Sequence, residues 1–271
     1  MTGSGGGLSD RLGSACAAGR KLLIPFLTAG YPDPTTSARA LKGVAAAGAD
    51  AIEIGVPFSD PLADGPTIAA ASQQALEGGA SLVGAIELGA GHAVSGGAPA
   101  NEAVPLVLFT YLNPLDAFGP ERAAEACQHA GFGGVLVADL PFDEDPAVAN
   151  ALAARGLPLI RLAAPTTPAA RLRSLGAGAE GFVYLIARTG VTGAGGVADR
   201  RAAEQVRILR ETTQTPIVLG FGIGDVDQAR RAAAVADGIV VGSALVERLG
   251  RHGPRAAADW VAELRTALDK G

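Results

Sequence analysis

The segment AIEIGVPFSDPLADGP, residues 51–66, sets Glu53 between Ile52 and Ile54, in a run with the apolar neighbours of a barrel or sheet strand. A buried ionised carboxylate loses its hydration and must find a partner, shift its pKa or do chemistry. Asp60 and Asp64 follow directly, on a loop stiffened by Pro57, Pro61, Gly65 and Pro66. Glu53 and Asp64 are therefore the best pair for carboxylate acid–base work. The alternative for Glu53 is a structural carboxylate bonded to Tyr or Thr hydroxyls inside a barrel, but buried ionisable groups cluster at functional sites, which favours catalysis. For Asp60, between Ser59 and Pro61, the commoner role is to bind the backbone of its own turn.

A second constellation lies near the C-terminus. Glycines 220, 222 and 224 of GFGIGD allow backbone N–H groups to approach a ligand, and GSAL, residues 242–245, can open a short helix whose N-terminus attracts phosphate. GFG alone reads more readily as a tight turn; the two loops together favour an anion site. RTGVTGAGG, residues 188–196, has the glycines of a mobile lid and a hydroxyl in Thr192, and composition does not separate a lid from a flexible connection.

Other chemistries lack their residues. Lys21, Lys42 and Lys270 are poorly placed for a Schiff base, and His92, His129 and His252 have no metal-ligand spacing. Cys16 and Cys127 form neither a disulfide framework nor a zinc motif. No strand followed by G-x-G-x-x-G opens the chain, which argues against a dinucleotide site. What remains is cofactor-free proton transfer by carboxylates on a phosphorylated small molecule.

These residues need a scaffold. Eight β-branched apolar runs (LLIPFLTA, AIEIGVP, PLVLFTY, GGVLVADL, LPLIRLAAP, GFVYLIA, PIVLGFGI and GIVVGSALV) alternate with segments of helical period such as ERAAEACQHAG and DVDQARRAAAVA. The pattern predicts an α/β fold, a (β/α)8 TIM barrel, with a doubly wound open sheet as the alternative. Segment 8–18 is expected to add an N-terminal helix at the barrel bottom, and ADWVAELRTALDK to close the chain as a final helix. No break in composition divides residues 1–271, so a single barrel domain is expected, with 1–7 as a flexible tail. Barrel enzymes work at the carboxyl ends of their strands, where Glu53, Asp64, Tyr111, Asn113, Asp139, Tyr184 and the two Gly loops fall. Lys and Arg total 22 against 27 Asp and Glu, without runs of one sign, so the basic footprint of a nucleic-acid binder is missing. Neither an export signal nor a membrane span is apparent, which fits the cytoplasm.

PFLTAGYPD, AIEIGVPFSDPLADGP, VLVADLP, YLIARTGVTG, GFGI and VGSAL, in this order and spacing, resemble the α-subunit family of tryptophan synthases over essentially the whole chain. The resemblance implies cleavage of indole-3-glycerol phosphate to indole and D-glyceraldehyde 3-phosphate. Indole then passes to a β subunit that carries pyridoxal phosphate, in a heterotetramer of two α and two β subunits; the α subunit itself needs no cofactor and no metal. By position, Glu53 matches the general acid/base and Asp64 the carboxylate that holds the indole N–H. Tyr184 matches the tyrosine beside the glutamate, and Tyr111 falls among the substrate-binding positions. Phe26, Phe109, Leu136 and Leu162 fall where the indole ring packs, although the third-strand aromatic is often aliphatic in relatives. Gly193, Gly222, Gly242 and Ser243 match the phosphate cradle, with Phe221 beside it, and Thr192 matches the lid threonine. Pro57, Asp60, Asn113 and Pro141 match positions at the subunit contact. Ala187 departs from the Ser that relatives often carry, and Arg161, opposite in alternation to Leu162, is expected to point outward and to need a partner. The same motifs would serve a stand-alone lyase that releases free indole; a non-catalytic barrel acting as an activator is disfavoured by the intact Glu53 and Asp64.

Overall fold

A computed structural model describes residues 7–95, 103–141, 144, 146–186, 195–220 and 222–270. The eight apolar runs form parallel strands β1 (Leu22–Thr28), β2 (Ile52–Gly55), β3 (Leu106–Thr110), β4 (Phe132–Val137), β5 (Arg161–Ala163), β6 (Val183–Ile186), β7 (Ile217–Gly220) and β8 (Gly238–Val241). They pair in the order β4-β3-β2-β1-β8-β7-β6-β5. A single parallel bridge between Val135 and Leu159 joins the two ends of this sheet. The bonds flanking it are Val135 N–H to Pro158 O at 3.0 Å and Ile160 N–H to Val135 O at 2.8 Å. The sheet thus curls round into the predicted barrel rather than an open doubly wound sheet.

Parallel strands need crossovers, and helices supply them. In chain order they are α1 (Leu8–Ala17), α2 (Pro34–Ala46), α3 (Pro66–Glu77), α4 (Leu82–Ser95), α5 (Leu112–Phe118), α6 (Pro120–His129), α7 (Pro146–Ala153), α8 (Ala169–Ala177), α9 (Gly195–Arg210), α10 (Val226–Val235) and α11 (Ser243–Asp269). Local chemistry sets several starts. Asp33 caps α2 by accepting from Thr36 N–H at 2.9 Å, and Asp225 caps α10 through Gln228 N–H at 2.7 Å. Proline occupies the first turn of α2, α3 and α6, where its missing N–H is not needed.

Strand alternation divides the apolar side chains into two cores. Residues such as Leu23, Ile52, Leu108 and Val183 pack outward beneath the helices, whereas Leu22, Ile24, Val107, Leu136, Phe182 and Val218 fill the barrel interior. Leu8 and Leu12 of α1 belong to the inner cluster, so the expected N-terminal helix closes one end of the barrel. Gly7 is its N-cap.

GSAL opens the expected short helix: Ser243 begins the first limb of α11, which ends at the non-helical Gly253, φ +82°, just before Pro254, while α11 as a whole runs to Asp269. A proline ring removes the N–H and clashes with the preceding turn, so the helix must break there. The final helix expected from ADWVAELRTALDK is its second limb. Among the described residues no helix is long and apolar enough to cross a membrane.

Candidate active site

Glu53 stands on β2, in register with Phe26 of β1 and Val107 of β3. It is 1% exposed, and its Oε1 has no hydrogen-bond partner among the described residues. The structural reading, a carboxylate satisfied by hydroxyls, is therefore not what this oxygen displays. Burial pushes the Glu53 carboxyl up to about 8. Its neighbour Tyr184, on β6, is buried too, and burial followed by the charges of Glu53 and Asp64 drives its phenol well above 10.

Asp64 sits at the carboxyl end of the same strand, on the loop leading to α3. Tight local bonds shape that loop: Leu62 N–H donates to Asp60 O at 2.9 Å and Asp64 N–H to Pro61 O at 3.0 Å. Tyr111 braces it from the end of β3, its hydroxyl accepting from Ala63 N–H at 3.2 Å while its ring leans on Phe58 at 5.1 Å. Burial raises the Asp64 carboxyl to about 6, against a hydrogen bond with Tyr111 that lowers it. At neutral pH the pair thus divides into a protonated Glu53 and an ionised Asp64. Two carboxyls with separated acidities are a ready acid and base.

Both carboxyls line a cavity of about 270 Å³. Its aromatic wall is Phe26 against Phe109, edge to face with centroids 5.3 Å apart. Two glycines make room for this wall. A Cβ on Gly55 would lie 2.3 Å from the Phe26 ring, and one on Gly220 would lie 2.1 Å from the Tyr184 hydroxyl. Gly220 therefore serves the tyrosine, not a ligand as the glycine spacing suggested. Leu162 also lines the cavity, joined by Ile68, Ile186, Ile223 and Val240, which sequence reasoning did not single out. Ile186 was findable, because it lies two residues beyond Tyr184 on the same strand face.

The opposite wall consists of backbone-rich segments: Gly222 and Gly224 after β7, and Gly242, Ser243 and Ala244 at the start of α11. Gly222 has φ +82°, a conformation open to glycine. Leu245 and Val246 N–H both donate to Gly242 O, so Ser243 and Ala244 hold the first-turn positions whose N–H groups have no intrahelical acceptor. Such a helix start favours a dianion. The Gly224 N–H, in contrast, already donates to Gln228 Oε1 at 2.7 Å. Thr192, Gly193 and Phe221, with Ala187 and Arg188, lie outside the described residues.

An apolar slot, two carboxyls of different acidity and a helix start whose first-turn N–H groups lack an intrahelical acceptor occupy one cavity. The sequence of residues 12–269 matches the family described as Tryptophan synthase alpha chain. The tryptophan synthase alpha chain of Laribacter hongkongensis is 42% identical over 265 residues, covering 97% of this chain and 98% of that one. That of Xanthomonas axonopodis pv. citri is 44% identical, covering 94% and 96%. The chain belongs to the tryptophan synthase alpha chain family. It is a carbon–carbon lyase of that family's α reaction, the cleavage of indole-3-glycerol phosphate. Solved structures agree: the Mycobacterium tuberculosis tryptophan synthase structure in space group F222 superposes with a TM-score of 0.87 at 34% identity, covering 97% of this chain and 98% of that one. Tryptophan synthase subunit alpha from Legionella pneumophila gives 0.86 at 28%, with the same coverage.

The remaining positions carried over from the family are more scattered. Leu136 is fully buried in the inner cluster, in register with Phe109, but does not line the cavity. Asp60 and Asn113 are exposed, Pro141 is half-buried and Pro57 is buried. Asp60 accepts from the Ser59 hydroxyl at 2.5 Å. Asp139, a strand-end acid, holds the start of α5 by accepting from Leu112 N–H at 2.7 Å. Arg161 is half-buried, and burial lowers the pKa of its guanidinium against the opposing charge of Glu180.

Proposed function

We propose that Glu53 and Asp64 perform the cleavage as a proton-transfer pair. The protonated Glu53 carboxyl gives its proton to C3 of the indole ring, and the resulting indolenine carries positive charge on nitrogen. Ionised Asp64 stabilises that charge through the ring N–H. Glu53, now a carboxylate, takes the proton of the hydroxyl on the carbon bonded to C3. The C3–carbon bond breaks, its electrons restore the aromatic ring, and indole and D-glyceraldehyde 3-phosphate form with no net change at Glu53. The observation that carries this assignment is that the buried Glu53 and the half-buried Asp64 line one cavity, where burial raises the pKa of both carboxyls.

The ring packs between Phe26, Phe109, Leu162 and Tyr184, while the phosphate sits on Gly222, Gly242 and Ser243; Gly193 and Thr192, which match the family's phosphate cradle and lid threonine, lie outside the described residues. The whole of 1–271 works as one barrel domain. Proton transfer of this kind needs no cofactor and no metal in this chain. Indole passes to a β subunit carrying pyridoxal phosphate, in a cytoplasmic heterotetramer of two α and two β subunits. Asp60, Asn113, Pro141 and the 93% exposed Leu62 offer that subunit a contact surface beside Asp64, with Pro57 beneath.

The test is indole release from indole-3-glycerol phosphate by the purified chain. Glu53→Gln keeps the size but cannot exchange the proton, and is expected to lose on the order of a hundredfold or more in turnover. Turnover near that of the unaltered chain would overturn the assignment.

A further inference from the structure

Arg248, on the first limb of α11, does not line the cavity, yet it is bonded to two residues that do. Its Nη1 donates to Ala244 O at 3.1 Å and its Nη2 to Gly224 O at 3.3 Å. These acceptors belong to different segments, Gly224 to the loop after β7 and Ala244 to the first turn of α11, and both form the backbone-rich wall. The guanidinium in turn lies over the Trp260 ring, 4.2 Å from its centroid. Trp260 reaches it because the break at Gly253 and Pro254 folds the second limb of α11 back. With Gln228 holding the Gly224 N–H at 2.7 Å, Gly224 is tied on both sides of its Cα.

We propose that Arg248 is a positioning residue that fixes the spacing between the two halves of the anion-binding wall, with Trp260 as its clamp. The proposal rests on the reading that this wall takes the substrate phosphate. A phosphate held by backbone donors from two loops binds well only when those donors are already at the right separation, because reorganising them consumes binding energy. A planar fork suits this role because it meets two carbonyls at a fixed angle and stacks on an aromatic face, neither of which a lysine ammonium does.

The experiment measures glycerol 3-phosphate and indole binding separately, by calorimetry on the full chain, with thermal melts confirming that each variant is folded. R248M is expected to weaken glycerol 3-phosphate about tenfold, from the loss of two charge-assisted bonds, and to leave indole within about twofold. R248K retains the charge without the fork and is expected to stay within about threefold of R248M. W260L, which unclamps the guanidinium but leaves its charge, is expected to weaken glycerol 3-phosphate by about threefold. In steady state the KM of R248M rises while kcat at saturation changes little. Unchanged glycerol 3-phosphate affinity in R248M, equal losses for both ligands, or full recovery in R248K would each overturn the proposal. Ser243→Asp is the reference. If it abolishes glycerol 3-phosphate binding and R248M does not weaken it, the role of Arg248 alone fails. If Ser243→Asp has no effect, the phosphate assignment of the wall fails and the proposal falls with it.

Discussion

Replacing Glu53 by Gln should make the protein more stable relative to the unaltered chain as pH rises. Burial lifts the Glu53 carboxyl from 4.5 to about 8. A raised folded-state pKa means that the folded chain holds the proton more tightly than the unfolded chain. The associated stability is complete below about pH 4.5, where both states are protonated, and is lost as pH rises through 8. At about 1.36 kcal/mol per unit, the folded state bears roughly 5 kcal/mol of charge-burial cost at pH 9 and under about 1 kcal/mol at pH 5. Glutamine does not ionise and escapes both. Any cost of burying its amide is independent of pH, so the difference between the two proteins should widen by about 4 kcal/mol from pH 5 to pH 9. Tyr184 does not interfere, because its phenol stays protonated across this range. Urea unfolding followed by circular dichroism, for both proteins at each pH, measures the difference. Stability curves that run parallel from pH 5 to pH 9 would refute the claim that Glu53 is held neutral by its surroundings.

Asp64→Asn should lower kcat by about a hundredfold, because an amide stabilises a developing cation poorly; a change confined to KM in steady-state assays would make Asp64 a binding group only. Asp60→Ala should leave the basal indole-release rate within about twofold and remove much of the activation by the β subunit, provided the 57–66 loop is the subunit contact. Full activation of that variant at saturating partner would place the contact elsewhere. Gly220→Ala should displace the Tyr184 ring and reduce turnover while the fold survives, as read by indole release alongside a thermal melt. Leu12→Ala should cost about 2–5 kcal/mol in urea unfolding, because the side chain is 1% exposed within the inner core.

The barrel was legible because its eight strands are eight apolar runs separated by helical segments, and Glu53 was legible because a carboxylate in the middle of such a run has no ordinary place there. Phe26, Phe109 and Leu162 were pointed to by the resemblance to the family and Tyr184 also by its place at a strand end, and all four line the cavity. Other roles depend on contacts that sequence spacing does not encode. Glycines 220, 222 and 224 look alike in the chain, yet Gly220 yields space to a tyrosine from the neighbouring strand and the Gly224 N–H is taken by Gln228. Asp139 caps a helix 27 residues earlier, a bond that exists only once β3 and β4 lie side by side. Arg248 and Trp260 meet across a bend, and the helical period of an unbroken α11 would have set them apart. The pairing of the first strand with the last, which brings Ser243 to the cavity that Glu53 lines, is likewise a long-range contact that spacing does not encode.

The closure itself is uneven. Between β3 and β4 five residue pairs form, with one register shift after Leu106, whereas β4 meets the β5 segment through one bridge. The ring therefore has a seam, and the seam divides the enzyme's labour. The half from β1 to β4 holds the two carboxyls of the cavity, and the half from β5 to β8 leads into the glycine-rich wall proposed to grip phosphate and holds Tyr184. On the proposed roles, substrate spans the two. What keeps them in step is the far side of the ring, where Leu22–Pro25 of β1 pair with Gly238–Val241 of β8. That junction acts as the spine of a book whose pages are the chemistry and the handle, and any loosening there would part a bound molecule's reacting carbon from its anchor.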